Sequence, residues 1–361
     1  MKGLIMGHNL TDLLLQGISK NASDLHINTG LPPQIRIDGR LQAVADKPLT
    51  AEDTQAICYE CLNQEQVMRF EQDRSIDLSF GIENKARFRA NIFWSLGTVA
   101  GAFRIIPFVI PEPAQLGLPQ NLIRITDKPR GLVLVTGQTG SGKSTTLASL
   151  IEQINRARTD HIITIEDPIE YIYTQKKCVI NQREIGSDAV NFVTALKYAL
   201  RQDPDVVLIG EMRDLETIQS ALTIAETGHL VFATLHTNTA VQTVDRIIDV
   251  FPPHQQAQVR TQLSFILEGI FCQQLLPRIG GGRALALEIL LPHSGIRNTI
   301  REGKTHQIAS QMQMGQKETE MVTMDQSLAA LVRNGLVELD EAKRRCVNVQ
   351  EFVAALEQRP I

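Results

Sequence analysis

Two hydrophobic rhythms divide the chain. Up to about residue 106 short alternating runs prevail, and from about residue 120 continuous apolar runs alternate with segments of helical period. In the first part, residues 86–95 put Phe88, Ala90, Ile92 and Trp94 on one face and Arg87, Arg89 and Asn91 on the other, as a strand period of two requires. A second strand-like run, 99–106, follows across Leu96-Gly97-Thr98. Upstream, residues 34–41 alternate into Asp38-Gly39, a hairpin signal. One helix is expected over about 51–70. The first part is therefore a mixed α/β module, residues 1–106.

Pro107, Pro111, Pro113 and Pro119 follow closely on one another. Such a stretch cannot form a helix interior or a central strand, so 107–119 reads as the joint between two domains. Beyond it, residues 131–136, 161–165, 205–209 and 230–235 are near-continuous apolar runs, of the kind expected for strands buried on both faces. Between them, Leu147, Leu150, Ile151 and Ile154 follow a helical stripe, as do Leu215, Ile218, Leu222 and Ala225 behind Asp214 as a cap. Alternating strand and helix predict a mainly parallel sheet covered on both sides across 120–361, with ligands outside the strands' carboxyl ends. A short helix over 324–334, closed by Gly335, is expected near the end of the chain.

The chemistry sits at those strand ends. After the first strand, Gly137-Gln138-Thr139-Gly140-Ser141-Gly142-Lys143-Ser144-Thr145 satisfies G-x-x-x-x-G-K-[ST] in full. Its backbone N–H groups and the following helix start can cradle phosphates, with Lys143 on the β- and γ-phosphates and Ser144 on Mg²⁺. The second strand ends in Glu166-Asp167-Pro168, placing carboxylates where magnesium or an attacking water would lie. The third ends in Gly210-Glu211, with glycine where many P-loop enzymes carry a metal-side aspartate. Magnesium would then be held by Ser144, phosphates and waters, with Glu166 and Glu211 behind the waters and Glu166 favoured as the water-polarising group. His229 and His236 bracket the fourth strand. Only His236 lies at the carboxyl end, as a γ-phosphate sensor, and His229 reads as structural.

Composition narrows the class. The 361 residues are 43% hydrophobic and 21% charged, an ordinary globular composition. The net charge of −4 leans away from a nucleic-acid motor. No apolar run reaches a membrane span, so a cytoplasmic protein without membrane insertion is expected. Among five cysteines, Cys58 and Cys61 have half-site spacing, but no second ligand pair follows and small buried helix residues explain them.

Together these elements resemble the secretion-superfamily ATPases, and among them the PilT family of type IV pilus retraction motors, over nearly the whole chain. Residues 137–145 resemble its Walker A, 164–171 its aspartate box, 206–211 its atypical Walker B and 228–237 its histidine box. Residues 295–302, Gly-Ile-Arg-Asn-Thr-Ile-Arg-Glu, are similar to an Ala-Ile-Arg-Asn-Leu-Ile-Arg-Glu segment of retraction ATPases, with Gly295 and Thr299 departing from it. Threonine for leucine is expected to remove apolar contact from the helix. The resemblance implies a PAS-like first domain, a RecA-like ATPase domain and a homohexamer using ATP and Mg²⁺. It further implies an inner-membrane platform protein as partner, a paralogous pilus ATPase as another, and Arg87, Arg89 and Arg104 at subunit interfaces. An assembly or type II secretion ATPase is the near alternative. A weakly hydrolysing, nucleotide-binding regulatory subunit is the alternative of another class.

Overall fold

The computed structural model describes residues 9–37, 40–82, 85–107, 109–314 and 319–357. These fall into two compact units, Met1–Val109 with Glu170–Ile172, and Ile110–Ile169 with Tyr173–Ile361. Each is described by itself.

The first unit is built on a six-stranded sheet in the order β3-β2-β1-β6-β5-β4. The strands are β1 (Asp24–Ile27), β2 (Gln34–Ile37), β3 (Arg40–Ala43), β4 (Ser75–Ile82), β5 (Ala86–Ser95) and β6 (Thr98–Pro107). Every recorded pairing in it is antiparallel. Ile37 pairs with Arg40, so β2 and β3 form a hairpin whose predicted turn, Asp38-Gly39, lies outside the described residues. Leu96 and Gly97, at φ 50° and 79°, turn β5 into β6. Phe88, Ala90 and Ile92 are fully buried, joined by Leu25, Ile27 and Phe103 from β1 and β6. Helix α1 (Leu10–Ser19) adds Leu13 and Leu14 to this core.

The single helix expected over 51–70 is two helices, α2 (Ala51–Tyr59) and α3 (Gln64–Asp73). Asn63 ends the continuity. Its side chain accepts from Gln66 N at 2.8 Å, while Gln66 Oε1 accepts from Asn63 N at 2.9 Å. This capping box starts a new helix where periodicity alone runs on. Cys58 and Cys61 fall on the last turn of α2 and the bend after it. The Cys61 thiol donates to the Cys58 carbonyl, and burial pushes both thiols up to about 12.

The second unit carries a seven-stranded sheet in the order β13-β12-β7-β11-β10-β8-β9. Its members are β7 (Gly131–Thr136), β8 (His161–Glu166), β9 (Val179–Glu184), β10 (Val206–Ile209), β11 (Leu230–Leu235), β12 (Leu267–Pro277) and β13 (Arg283–Leu290). All pairings are parallel except β12 with β13, which makes β13 an antiparallel edge. Every residue of β7, β10 and β11 is buried, as helix-covered faces require. This α/β arrangement, with a strand–loop–helix at its centre, is a RecA-like P-loop domain. Helices include α4 (Gln120–Ile123), α5 (Lys143–Ala157), α6 (Phe192–Ala199), α7 (Leu215–Glu226), α8 (Ala240–Asp249), α9 (Pro253–Ile266) and α10 (Ser294–Arg301). Asp214 caps α7 as expected, accepting from Thr217 N at 2.8 Å. Helix Met324–Arg333 opens with a capping box at Thr323 and is followed by Gly335 at φ 65°. Strands β4, β9, β12 and β13 have no counterpart in the sequence reading. Among the described residues, no helix is long and apolar enough to cross a membrane.

Candidate functional site

Parallel register brings the chemistry to one edge of the sheet. β7 pairs with β11 as Thr136 with Leu235, β11 with β10 as Ala233 with Ile209, and β10 with β8 as Ile209 with Ile165. The residues that follow these positions, Gly137, His236, Gly210 and Glu166, therefore leave the sheet on the same side. All four strand ends singled out in the sequence converge, in one unit.

The loop after β7 is a phosphate cradle by construction. Gly137, Gly140 and Gly142 have φ of 141°, 81° and 90°, a run of backbone that side-chained residues rarely adopt. Lys143, 9% exposed, donates from Nζ to the carbonyls of Gly137 at 2.7 Å and Gln138 at 3.2 Å. This arches the lysine back over its own loop. Ser141 N donates to Gln138 O at 3.1 Å and closes the turn. Ser144 and Thr145 lie in the first turn of α5, whose positive N-terminal end faces the loop.

Glu166 is the last residue of β8 and is 8% exposed. The segment after it is steered by a neighbour that sequence reasoning missed. Glu184, 4% exposed at the end of β9, accepts from Ile169 N at 3.1 Å. Asp167-Pro168, within this steered segment, is a cis peptide.

Gly210 has a packing explanation. A Cβ there would lie 3.2 Å from Glu166 Cα and 3.3 Å from Ile165 O, both main-chain atoms. An aspartate at this position would press β10 away from β8. The next residue supplies the carboxylate instead. Glu211 Oε2 lies 3.1 Å from His236 Nε2, and its other oxygen pairs with Arg213. Thr234 Oγ1 donates to Gly210 O, and Met212 N donates to Thr234 O at 3.0 Å, tying this turn to β11.

His229 stands at the opposite end of β11. Its Nδ1 is 3.0 Å from Ile224 O and 3.1 Å from Thr227 Oγ1, so it binds the last turn of α7. Arg87, Arg89 and Arg104 belong to the first unit. Arg89 and Arg104 are direct partners across β5 and β6, and Arg104 Nε donates to Asp24 Oδ1 at 3.1 Å. Asp24 also pairs with Arg36 at 3.8 Å, so this sheet face carries a row of guanidinium groups around one carboxylate.

In the 295–302 segment, Thr299 is 5% exposed. Its hydroxyl donates to Gly295 O at 3.0 Å and accepts from Gln311 Nε2 at 2.7 Å. The expected loss of apolar contact is thus replaced by a polar link to helix α11 (Ile308–Gln313).

Gln273 on β12 also belongs to the site, since its amide donates to Ser141 O at 2.6 Å. Its signal in the sequence was slight: Gln273-Gln274 interrupts an otherwise apolar run. Among the described residues no cluster of three or more His, Cys, Asp or Glu could by itself hold a metal ion. The Ser144 hydroxyl in the first turn of α5, with the Glu166 carboxylate at a neighbouring strand end, offers the few hard oxygen donors that fit magnesium, which takes one or two protein ligands together with substrate phosphates.

Comparison with known proteins shows the family. Residues 5–345 match the family described as type II/IV secretion system protein. The type IV pilus retraction ATPase PilT of Pseudomonas aeruginosa is 46% identical over 344 residues, covering 95% of this chain and all of its own. A twitching motility protein of Neisseria gonorrhoeae is 47% identical over 321 residues, 89% of this chain and 86% of its own. A crystal structure of the pilus retraction motor PilT with bound ADP superposes with a TM-score of 0.91 at 49% identity, covering 96% of this chain and 100% of its own.

Proposed function

The chain belongs to the type II/IV secretion system protein family, and from that premise we propose that it is an ATP-hydrolysing motor that drives type IV pilus retraction. The observation that carries this reading is end-to-end similarity to a retraction ATPase, 95% of this chain against 100% of that one. A complete P-loop at the correct strand end supports the ATPase activity independently.

In this reading the 137–145 loop binds the nucleotide phosphates through its N–H groups, and Lys143 turns from its own loop carbonyls to the β- and γ-phosphates. Ser144 would hold magnesium, with Glu166 and Glu211 reaching it through water. The ion would neutralise charge building up between the β- and γ-phosphates. Glu166, buried at its strand end, orients the attacking water. His236, linked to Glu211, reports whether the γ-phosphate is present. A positive charge in the transition state would come from Arg87, Arg89 or Arg104 of a neighbouring subunit, within a ring of six. ATP would close the joint around 107–119, and hydrolysis would reopen it.

The ring would work at the cytoplasmic face of the inner membrane, against a platform protein of the pilus machine and alongside a paralogous pilus ATPase. Cells lacking the protein should carry many surface pili and fail to twitch. A gene encoding Lys143→Ala should not restore motility. Bald cells would instead make the protein an assembly motor, and purified protein without ATP turnover would leave it a binding subunit.

A further inference from the structure

Gln273 is 1% exposed, and its amide is used from one end only. Nε2 donates to Ser141 O at 2.6 Å, while Oε1 is buried without a hydrogen-bond partner. A half-satisfied buried amide is costly, so the fold retains it at the expense of stability. Its main chain presses on the same loop. A Cβ on Gly137 would fall 2.4 Å from Gln273 O and 2.6 Å from Ser141 Oγ.

The register of β12 sets this up. β12 pairs with β7 as Leu267 with Leu132 and then Gly269 with Val133, a shift of one residue. Beyond the shift, Cys272 pairs with Thr136, so Gln273 arrives level with the first loop glycine. A one-residue shift exchanges the faces on which later side chains lie. The bulge therefore brings Gln273, and not Cys272, level with Gly137 at the start of the phosphate loop.

We propose that Gln273 is a positioning residue of the nucleotide site, aiming the peptide between Ser141 and Gly142 toward the phosphates. The peptide is planar and trans, so its C=O and N–H point in opposite directions. Holding the Ser141 carbonyl on Gln273 turns the Gly142 N–H to the other side, where a phosphate oxygen needs a donor. Without that hold, the carbonyl is free to rotate toward the phosphates and repel them. The proposal rests on the nucleotide-binding reading of the 137–145 loop.

The test is the affinity of the purified full chain for a fluorescent ADP, measured from pH 6 to pH 8.5. Wild-type binding establishes the loop as a nucleotide site, and its failure would remove that reading together with this one. Given wild-type binding, Gln273→Leu should weaken affinity about tenfold, as expected for one lost buried hydrogen bond. Its melting temperature should stay close to wild type, because the unpaired Oε1 is removed as well. Gln273→Glu supplies an internal control. Protonated, its buried carboxyl can donate to Ser141 O; ionised, it opposes that carbonyl and the phosphates. Its affinity, relative to wild type at each pH, should be near normal at pH 6 and fall at least about tenfold by pH 8.5. Equal binding by Gln273→Leu and wild type would overturn the proposal, as would a Gln273→Glu protein whose relative affinity ignores pH.

Discussion

The side chains of Glu211 and His236 meet at the sheet edge, Oε2 to Nε2 at 3.1 Å, although 25 residues separate them in the chain. The contact joins the end of β10 to the end of β11. It gives the loop carrying His236 a fixed partner in the turn that follows β10, the strand paired with β8. In the proposed function, a change at the γ-phosphate felt by His236 would pass through this contact to a carboxylate within the site.

His236→Ala and Glu211→Gln should for this reason resemble one another. Each is expected to lower kcat on the order of a hundredfold, the cost of slightly misplaced reacting groups, with ADP affinity little changed. Steady-state ATPase assays beside ADP titrations check it. A His236→Ala enzyme with normal kcat would leave the contact purely structural.

Gly210 yields a prediction of opposite character. Placing aspartate there restores the common P-loop pattern on paper, yet the new Cβ would crowd the backbone of β8 at Glu166 and Ile165. Gly210→Asp and Gly210→Ala should both lose about 1–3 kcal/mol of stability and lower turnover, since backbone cannot move aside as a side-chain tip can. Urea unfolding and ATPase rates decide. A Gly210→Asp variant more active than wild type would mean the strands have room that the structure denies them.

The paired cysteines are tested by reactivity. Burial holds Cys58 and Cys61 at about 12, so each thiol is protonated through the physiological range. At pH 8 the reactive thiolate is on the order of one part in ten thousand, and it grows tenfold with each pH unit up to about 12. Native protein treated with iodoacetamide at pH 8 should show no label on either residue by mass spectrometry. Both should label after unfolding in guanidinium. Rapid native labelling of Cys58 would contradict its burial.

What the sequence made legible follows a physical division. The phosphate loop is a contiguous motif whose conformation is written in its own glycines, and β7, β10 and β11 are apolar because both their faces are covered. Such features can be read locally. Asn63 and Gln66 were also readable as a capping box, but the helical period across 51–70 obscured them. β12 offered no such signal: α9 ends at Ile266 and the strand begins at Leu267 without glycine or proline to mark the change. Gln273 acquires its role from a register shift, and Glu184 acquires its role from the strand next to β8. Both depend on which chains lie side by side, which periodicity does not encode.

Arg297 shows how a segment marked out by resemblance can have a structural duty. Its guanidinium donates to Pro292 O at 3.1 Å, Ser264 O at 2.9 Å and Phe265 O at 3.0 Å, and pairs with Glu268 at 3.1 Å. Glu268 occupies the β12 bulge and is also held by Lys128 at 2.9 Å. One side chain thus ties the end of α9, the bulge and the start of α10 together. The fork of a guanidinium can serve several acceptors at fixed angles, and an ammonium cannot. Arg297→Ala should cost about 2–3 kcal/mol of stability, and Arg297→Lys should recover little of it. Thermal unfolding beside a motility assay separates the two possible duties. Lost motility with a lowered melting temperature in both variants fits a clamp. Lost motility with an unchanged melting temperature would instead make Arg297 a contact for the pilus machine.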